Sequence, residues 1–248
     1  GQGTVTLDPL ISVDSEGISG RVKIEPMITV GSRMDTNFYK AEHNEKDVYT
    51  FFFKPGFKLA YETPKSNLSL KYILNANYYS GDDGDYVGHT VNFSGETRPY
   101  ARITLGLDDS YYKTRDPGRS DKNSNSVSRE KYSTNRITPT IKYEFGNKFS
   151  LGLGYRNTIT DYDISEDSVE HRGIADLTYN FTPTTHVGIK YQHWMRDYDG
   201  KTADYDSDEF GLVFTKQFRR FSFEAGGGYH RRTFEDSIID DINTFSYK

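Results

Sequence analysis

The chain contains no cysteine. That absence excludes disulfide staples, thiolate metal sites and a cysteine nucleophile. It also suits an envelope protein that crosses an oxidising compartment unfolded. Long apolar runs are missing too: the ~18 consecutive apolar residues of a membrane helix occur nowhere. Hydrophobic residues make up 34% of the 248 residues, and the mean hydropathy is -0.77. The supply of Leu, Ile and Val is therefore too thin for the two-layer core of an ordinary domain of this length. A net charge of -5 offers no basic surface to nucleic acid. No export signal is visible, because Gly1 opens a polar stretch, and the chain reads as a mature product whose signal has been removed.

Aromatic residues, in contrast, are abundant: 15% of the chain, with twenty Tyr and sixteen Phe against one Trp. Disordered chains are poor in such residues, so this one folds. The stretch YEFGNKFSLGLGYR, from Tyr143 to Arg156, shows how. Tyr143, Phe145, Phe149, Leu151, Leu153 and Tyr155 alternate with Glu144, Ser150, Gly152, Gly154 and Arg156. A period of two marks a strand with two unlike faces. The same alternation recurs from Ile24 to Tyr247, in segments such as Phe51–Phe53–Phe57–Leu59–Tyr61, Leu68–Leu70–Tyr72–Leu74 and Phe210–Leu212–Phe214. No segment has a convincing helical period.

Connections alternate in kind. Tight ones fall at ETPKS (62–66), TRPY (97–100), GNK (146–148), TPT (182–184) and Arg219–Arg220; longer polar ones fall at 36–46, 80–85, 114–134, 161–168, 197–208 and 235–241. This is the signature of an up-and-down meander. The expected fold is all-β: a transmembrane antiparallel β-barrel of about twelve strands, with short periplasmic turns and long extracellular loops, in the bacterial outer membrane. Residues 1–20 are expected to form a periplasmic N-terminal segment and residues 21–248 the barrel. A soluble sandwich or lipocalin-like barrel also alternates, but turns its apolar face inward and does not need so many long strands.

On this register the apolar residues meet lipid and the opposite face carries Lys54, Lys58, Lys71, Arg102, Asp108, Lys142, Glu144, Arg156, Arg172, Asp176, Lys190, Arg196, Glu224 and Arg232 as lumen-lining candidates. An Arg or Lys facing lipid at the midplane costs about 2–4 kcal/mol, so a face this charged has to be wet. Basic residues outnumber acidic ones in the set, which favours anions in the lumen. The competing expectation is that the charges pair across strands and plug the barrel. Twelve strands lie between the filled interior of ~8 and the open channel of ~16–18.

The segment IEPMITVGSRMDTNFYKAEHNEKDVYTFFFKPGFKLAYETPKSNLSLKYILNANYY, residues 24–79, resembles the start of the bacterial outer-membrane family described as β-barrel porin 2. Pro26, the Asp35–Thr36–Asn37–Phe38–Tyr39 stretch and Pro55–Gly56 carry the resemblance, which is weaker in the later strands. It implies a role in polysaccharide export or the cell envelope, and it supplies no catalytic residues. The expected function is passive passage of polar solutes or saccharides across the outer membrane, with outer-membrane lipid and envelope export components as partners. The chain departs from the pattern at Tyr247–Lys248, where such barrels often end in Phe or Trp. The alternative function is a non-conducting scaffold barrel that anchors envelope partners.

The loops are acidic and rich in Tyr. Asp82, Asp83 and Asp85, and Asp197, Asp199, Asp204, Asp206 and Asp208, have the oxygen density that calcium favours but not the EF-hand spacing. They read as solvated loops, and no metal or cofactor is expected. Tyr132, Tyr162, Tyr198 and Tyr205 suit either sugar stacking or interfacial anchoring. No enzyme is expected: His230 and Ser222 share a face but lie eight residues apart on one strand. His89 and His193 take apolar-face registers, and nothing specifies a site for His171 or His43 beside the acidic loops.

Overall fold

A computed structural model describes residues 3–7, 13–17, 20–35, 47–80, 85–115, 130–236 and 239–247. His43, Asp82, Asp83 and most of the 114–134 loop lie outside the described residues. Among the described residues every regular element is a strand: β1 (Gly3–Leu7), β2 (Val13–Gly17), β3 (Gly20–Asp35), β4 (Val48–Glu62), β5 (Ser66–Tyr79), β6 (Tyr86–Tyr100), β7 (Ile103–Thr114), β8 (Tyr132–Phe145), β9 (Phe149–Tyr162), β10 (Ser168–Thr182), β11 (Thr185–Tyr198), β12 (Tyr205–Gln217), β13 (Ser222–Phe234) and β14 (Ile242–Tyr247). Among the described residues no helix is long and apolar enough to cross a membrane. From β3 to β13 the strands run from 12 residues (β7) to 16 (β3). That exceeds the ~9–11 residues of a tilted membrane crossing, so each strand can project beyond the hydrocarbon.

The strands join one fourteen-stranded sheet whose order follows the chain from β3 to β14, with β1 and β2 on the other edge of β3. Among the described residues β14 pairs only with β13, so the strand order has two ends. β3–β14 are the twelve alternating segments of the sequence. Residues 1–20 are those expected to form the periplasmic N-terminal segment. They supply β1, paired with Ile28 to Ser32, and β2, paired with Gly20 to Ile24. An open edge on β3 would leave its backbone groups unpaired, and these two short strands cover it.

Turn chemistry sets the hairpins. Thr63 accepts the Ser66 backbone N–H at 2.8 Å through its hydroxyl and donates its own N–H to the Ser66 carbonyl at 2.8 Å, closing the ETPKS turn. Gly146 adopts a φ of 70°, a left-handed conformation that glycine enters without a Cβ penalty. Phe218 and Phe221 stack at 4.4 Å across Arg219–Arg220, and the Phe218 N–H bonds the Phe221 carbonyl at 2.8 Å. One expected turn is displaced: β6 continues through TRPY to Tyr100, and the chain reverses at Ala101–Arg102. Pro99 tolerates the strand because it sits next to the strand's end, where a missing N–H leaves no ladder bond unmade.

The chain divides into two units. One holds Gly1–Gly95, Asp108–Asn135 and Thr160–Glu166; the other holds Glu96–Leu107, Arg136–Ile159 and Asp167–Lys248. Among the described residues, the buried set of each mixes polar side chains with aromatic and small apolar ones. In the first, the buried residues include Thr50, Glu130, Thr134 and Thr160 beside Val48, Tyr86, Tyr132 and Tyr162, while Phe51, Phe53, Phe57 and Leu59 are exposed. In the second, Thr138, Thr158, Ser168, Glu170, Gln192 and Ser207 are buried beside Trp194, Tyr198 and Tyr205, while Leu153, Leu177, Phe210, Leu212 and Phe214 are exposed. This inverts the ordinary distribution of a water-soluble domain. Parity accounts for it: along β12, Ser207 is 1% exposed, whereas Phe210 and Leu212, on the other face, are 46% and 45% exposed.

Candidate functional site

The sheet therefore has an apolar face and a polar face, and the candidates can be placed on them. In the first unit, Lys54 and Lys58 share the polar face of β4 with Thr50, and Lys58 pairs with Lys71 of β5 and with Glu25 of β3. Asp108 lies on the same parity of β7 as Tyr112, opposite to Leu105 and Leu107. In the second unit, Lys142 and Glu144 form an ion pair at 3.8 Å along β8. Arg156 donates through Nε to the Thr138 hydroxyl at 3.3 Å. Asp176 stands opposite Lys190, and Glu224 opposite Thr215. Arg102 does not lie on a strand face: it is exposed in the Ala101–Arg102 turn, where its carbonyl accepts the Glu144 N–H at 3.0 Å. The expectation that it lines a strand fell with the displaced turn.

The strongest constellation lies towards the loop end of β10–β13. Glu170, 5% exposed, takes Arg172 at 3.0 Å and Arg196 at 2.7 Å. Arg172 also donates to the Gln192 side-chain oxygen at 3.2 Å, and its guanidinium lies 4.0 Å from the Trp194 ring centre. Trp194 stacks on His230 at 5.2 Å with 12° between the rings. Arg232 covers Tyr205 at 4.3 Å and donates to Ser207 Oγ at 3.4 Å. Register explains the assembly. Arg172, Trp194, Ser207 and Arg232 occupy consecutive paired positions on one face, and the small Ser207 lets the indole reach β13. A buried carboxylate is tolerated when guanidinium groups pair with it, and a desolvated guanidinium over an indole adds a cation–π contact.

Several of these residues escaped the sequence reading. Glu170 is two positions before Arg172, and Trp194 two before Arg196, so parity alone would have added both. Lys23 and Glu25 form a further ion pair on the polar face of β3, and their alternation with Val22 and Ile24 is the signal in the sequence that finds them. The four tyrosines read as sugar-stacking or interfacial groups are buried instead. In the first unit, Tyr132 stacks with Tyr162 at 5.1 Å and meets Tyr112 edge-on at 6.1 Å. In the second, Tyr205 packs between Tyr198 and Phe234 at 6.4 and 5.8 Å. Their rings fill the polar face where the strands rise towards the loops.

On the apolar face, polar groups appear in hydrogen-bonded sets. The Tyr72 hydroxyl meets His89 Nδ1 at 2.9 Å, and the Tyr155 hydroxyl meets His171 Nδ1 at 2.6 Å. Asp208 accepts the Tyr191 hydroxyl at 2.6 Å and lies 3.0 Å from His193 Nδ1. Asp204 accepts the Tyr198 N–H at 2.7 Å, closing the loop that carries Asp199. Glu130 accepts the N–H groups of Ile164 and Ser165 at 2.8 and 2.7 Å, tying two loop bases in the first unit. Among the described residues no three acidic or histidine side chains converge as metal ligands.

Solved structures resemble this arrangement. OmpT of Vibrio cholerae with loop L8 deleted, an outer membrane protein, superposes with a TM-score of 0.51 at 10% identity, over 99% of this chain and 94% of that one. OmpT folded in vitro gives 0.52 at 11% identity over 94% and 86%. OmpT expressed in the outer membrane gives 0.50 at 11% identity over 90% of each chain. The fold is that of an outer-membrane β-barrel. No protein-family model matches the chain, and no curated protein matches its sequence. No family model supports the finer resemblance to β-barrel porin 2.

Proposed function

We propose that the protein resides in the bacterial outer membrane and passes polar solutes or saccharides along the polar face of its sheet, with a preference for anions. One observation carries this reading: Phe, Leu and Ile are exposed while Thr, Ser, Glu and Gln are buried. A chain so arranged is stable where its outside meets hydrocarbon and its inside meets water. The anion preference rests on Lys54, Lys58 and Lys71, which share the polar face of β4 and β5. Arg172 and Arg196 contribute less to it, because Glu170 neutralises part of their charge. A role in polysaccharide export, as the family resemblance implies, belongs to the same reading, and no catalytic step is part of it. Planar-bilayer recording tests it. The purified protein should give discrete currents and a reversal potential on the anion side in a salt gradient; silence across salts and voltages defeats it.

The buried Trp194, Tyr198 and Tyr205 with Phe234 favour a second reading, a scaffold whose interior is closed by side chains. On that reading Trp194→Ala creates current in a silent protein. On the first it enlarges a current already present.

A further inference from the structure

On the polar face of β4 and β5, Lys58 stands directly opposite Lys71. Like charges at paired positions of one face destabilise a sheet. Glu25 flanks Lys58 from β3, but its carboxylate is in an ion pair with Lys23. Among the described residues neither Lys58 nor Lys71 has a hydrogen-bond or ion-pair partner. Their neighbours on the same face are small or apolar: Gly56 and Ala60 on either side of Lys58, Ser69 and Ile73 on either side of Lys71. A single lysine on a wet face is an ordinary solvated charge. Two in register across β4 and β5, with no acidic residue at the adjoining paired positions of those two strands, make a cradle.

We infer that Lys58 and Lys71 form a binding station for a multivalent oxyanion, a phosphorylated or polycarboxylate solute that places one anionic group on each ammonium. The inference deepens the passage reading and rests on it in one respect, that the polar face is wet. The ligand supplies the charge that the fold leaves out, so binding relieves the repulsion between the two lysines.

The test uses the full chain folded in detergent and inorganic pyrophosphate as the probe, with binding followed by titration calorimetry. Lys58→Gln and Lys71→Gln should each weaken binding at least tenfold, while Lys142→Gln, whose lysine already pairs with Glu144, leaves it unchanged. Both variants remove repulsion and are expected to fold, which the heat-dependent gel shift of folded barrels checks. No binding by the wild-type chain, undiminished binding in both variants, or an equal loss in Lys142→Gln overturns the station. Binding that depends on Lys58 and Lys71 in a protein that carries no current supports the station and defeats passage. Current without binding does the reverse.

Discussion

Leu212 offers a direct way to perturb the face assigned to lipid. It is 45% exposed at the centre of β12's apolar row, flanked by Phe210 and Phe214. The row is bounded by Lys216 towards the turn, which donates to Thr185 at 2.8 Å, and by Asp208 towards the loop. Leu212 is four residues from each, or about 13 Å along the strand and about 10 Å along the membrane normal at a tilt near 40°. It therefore sits near the midplane of an apolar band about 25 Å tall. An arginine there costs about 2–4 kcal/mol, which is roughly a 30- to 900-fold shift in the folding equilibrium. The adjacent Gly211 is at the same depth on the polar face, and a Cβ built there meets nothing within 4 Å. Gly211→Arg should cost less than about 1 kcal/mol, the range of surface substitutions with room to adapt. Urea unfolding in phosphatidylcholine vesicles, followed by the fluorescence of the single tryptophan, Trp194, measures both variants. Equal costs, or a larger cost for Gly211→Arg, would refute the assignment of faces.

Other outcomes follow from individual contacts. Glu170→Gln leaves Arg172 and Arg196 without their shared carboxylate and should destabilise the protein by about 3 kcal/mol, read as a lower urea midpoint. Gly56→Val should prevent or slow folding, since a Cβ would approach the Tyr72 carbonyl oxygen to 2.4 Å; Gly188→Ala, with nothing within 4 Å, should fold normally on the same heat-shift gel. Trp194→Ala removes the indole between Arg172 and His230 and should raise single-channel conductance in planar bilayers. Glu130→Ala frees the N–H groups of Ile164 and Ser165 and should speed limited proteolysis at residues 163–167.

Much of the fold was legible because a period of two needs no long-range information. Once Phe51, Phe53 and Phe57 are placed on one face, Lys54 and Lys58 must lie on the other, and the ladders agree. Turn placement was harder. A proline signals an interruption only where its missing N–H is needed, and at Pro99 the strand was already ending, so the reversal fell at Ala101–Arg102. The edge strands β1 and β2 are too short to read: GTVTL alternates only at Val5 and Leu7, and VDSEG has the one apolar residue Val13. The loop-end tyrosines are ambiguous for a different reason. Tyr132 and Tyr162 resemble interfacial anchors by composition, and only their parity, even on β8 and β9, puts them with Thr134 and Thr160 among the buried residues. The Glu170–Arg172–Arg196–Trp194 cluster needed cross-strand register, which parity along one strand does not supply.

The central claim is tested most directly by scanning β12. Because the chain has no cysteine, single cysteines from Asp206 to Lys216 can be spin-labelled one at a time in lipid vesicles. Accessibility to oxygen dissolved in the bilayer should peak at positions 210, 212 and 214, and accessibility to a water-soluble nickel chelate at 209, 211, 213 and 215. The opposite phase, or no alternation at all, would contradict the account.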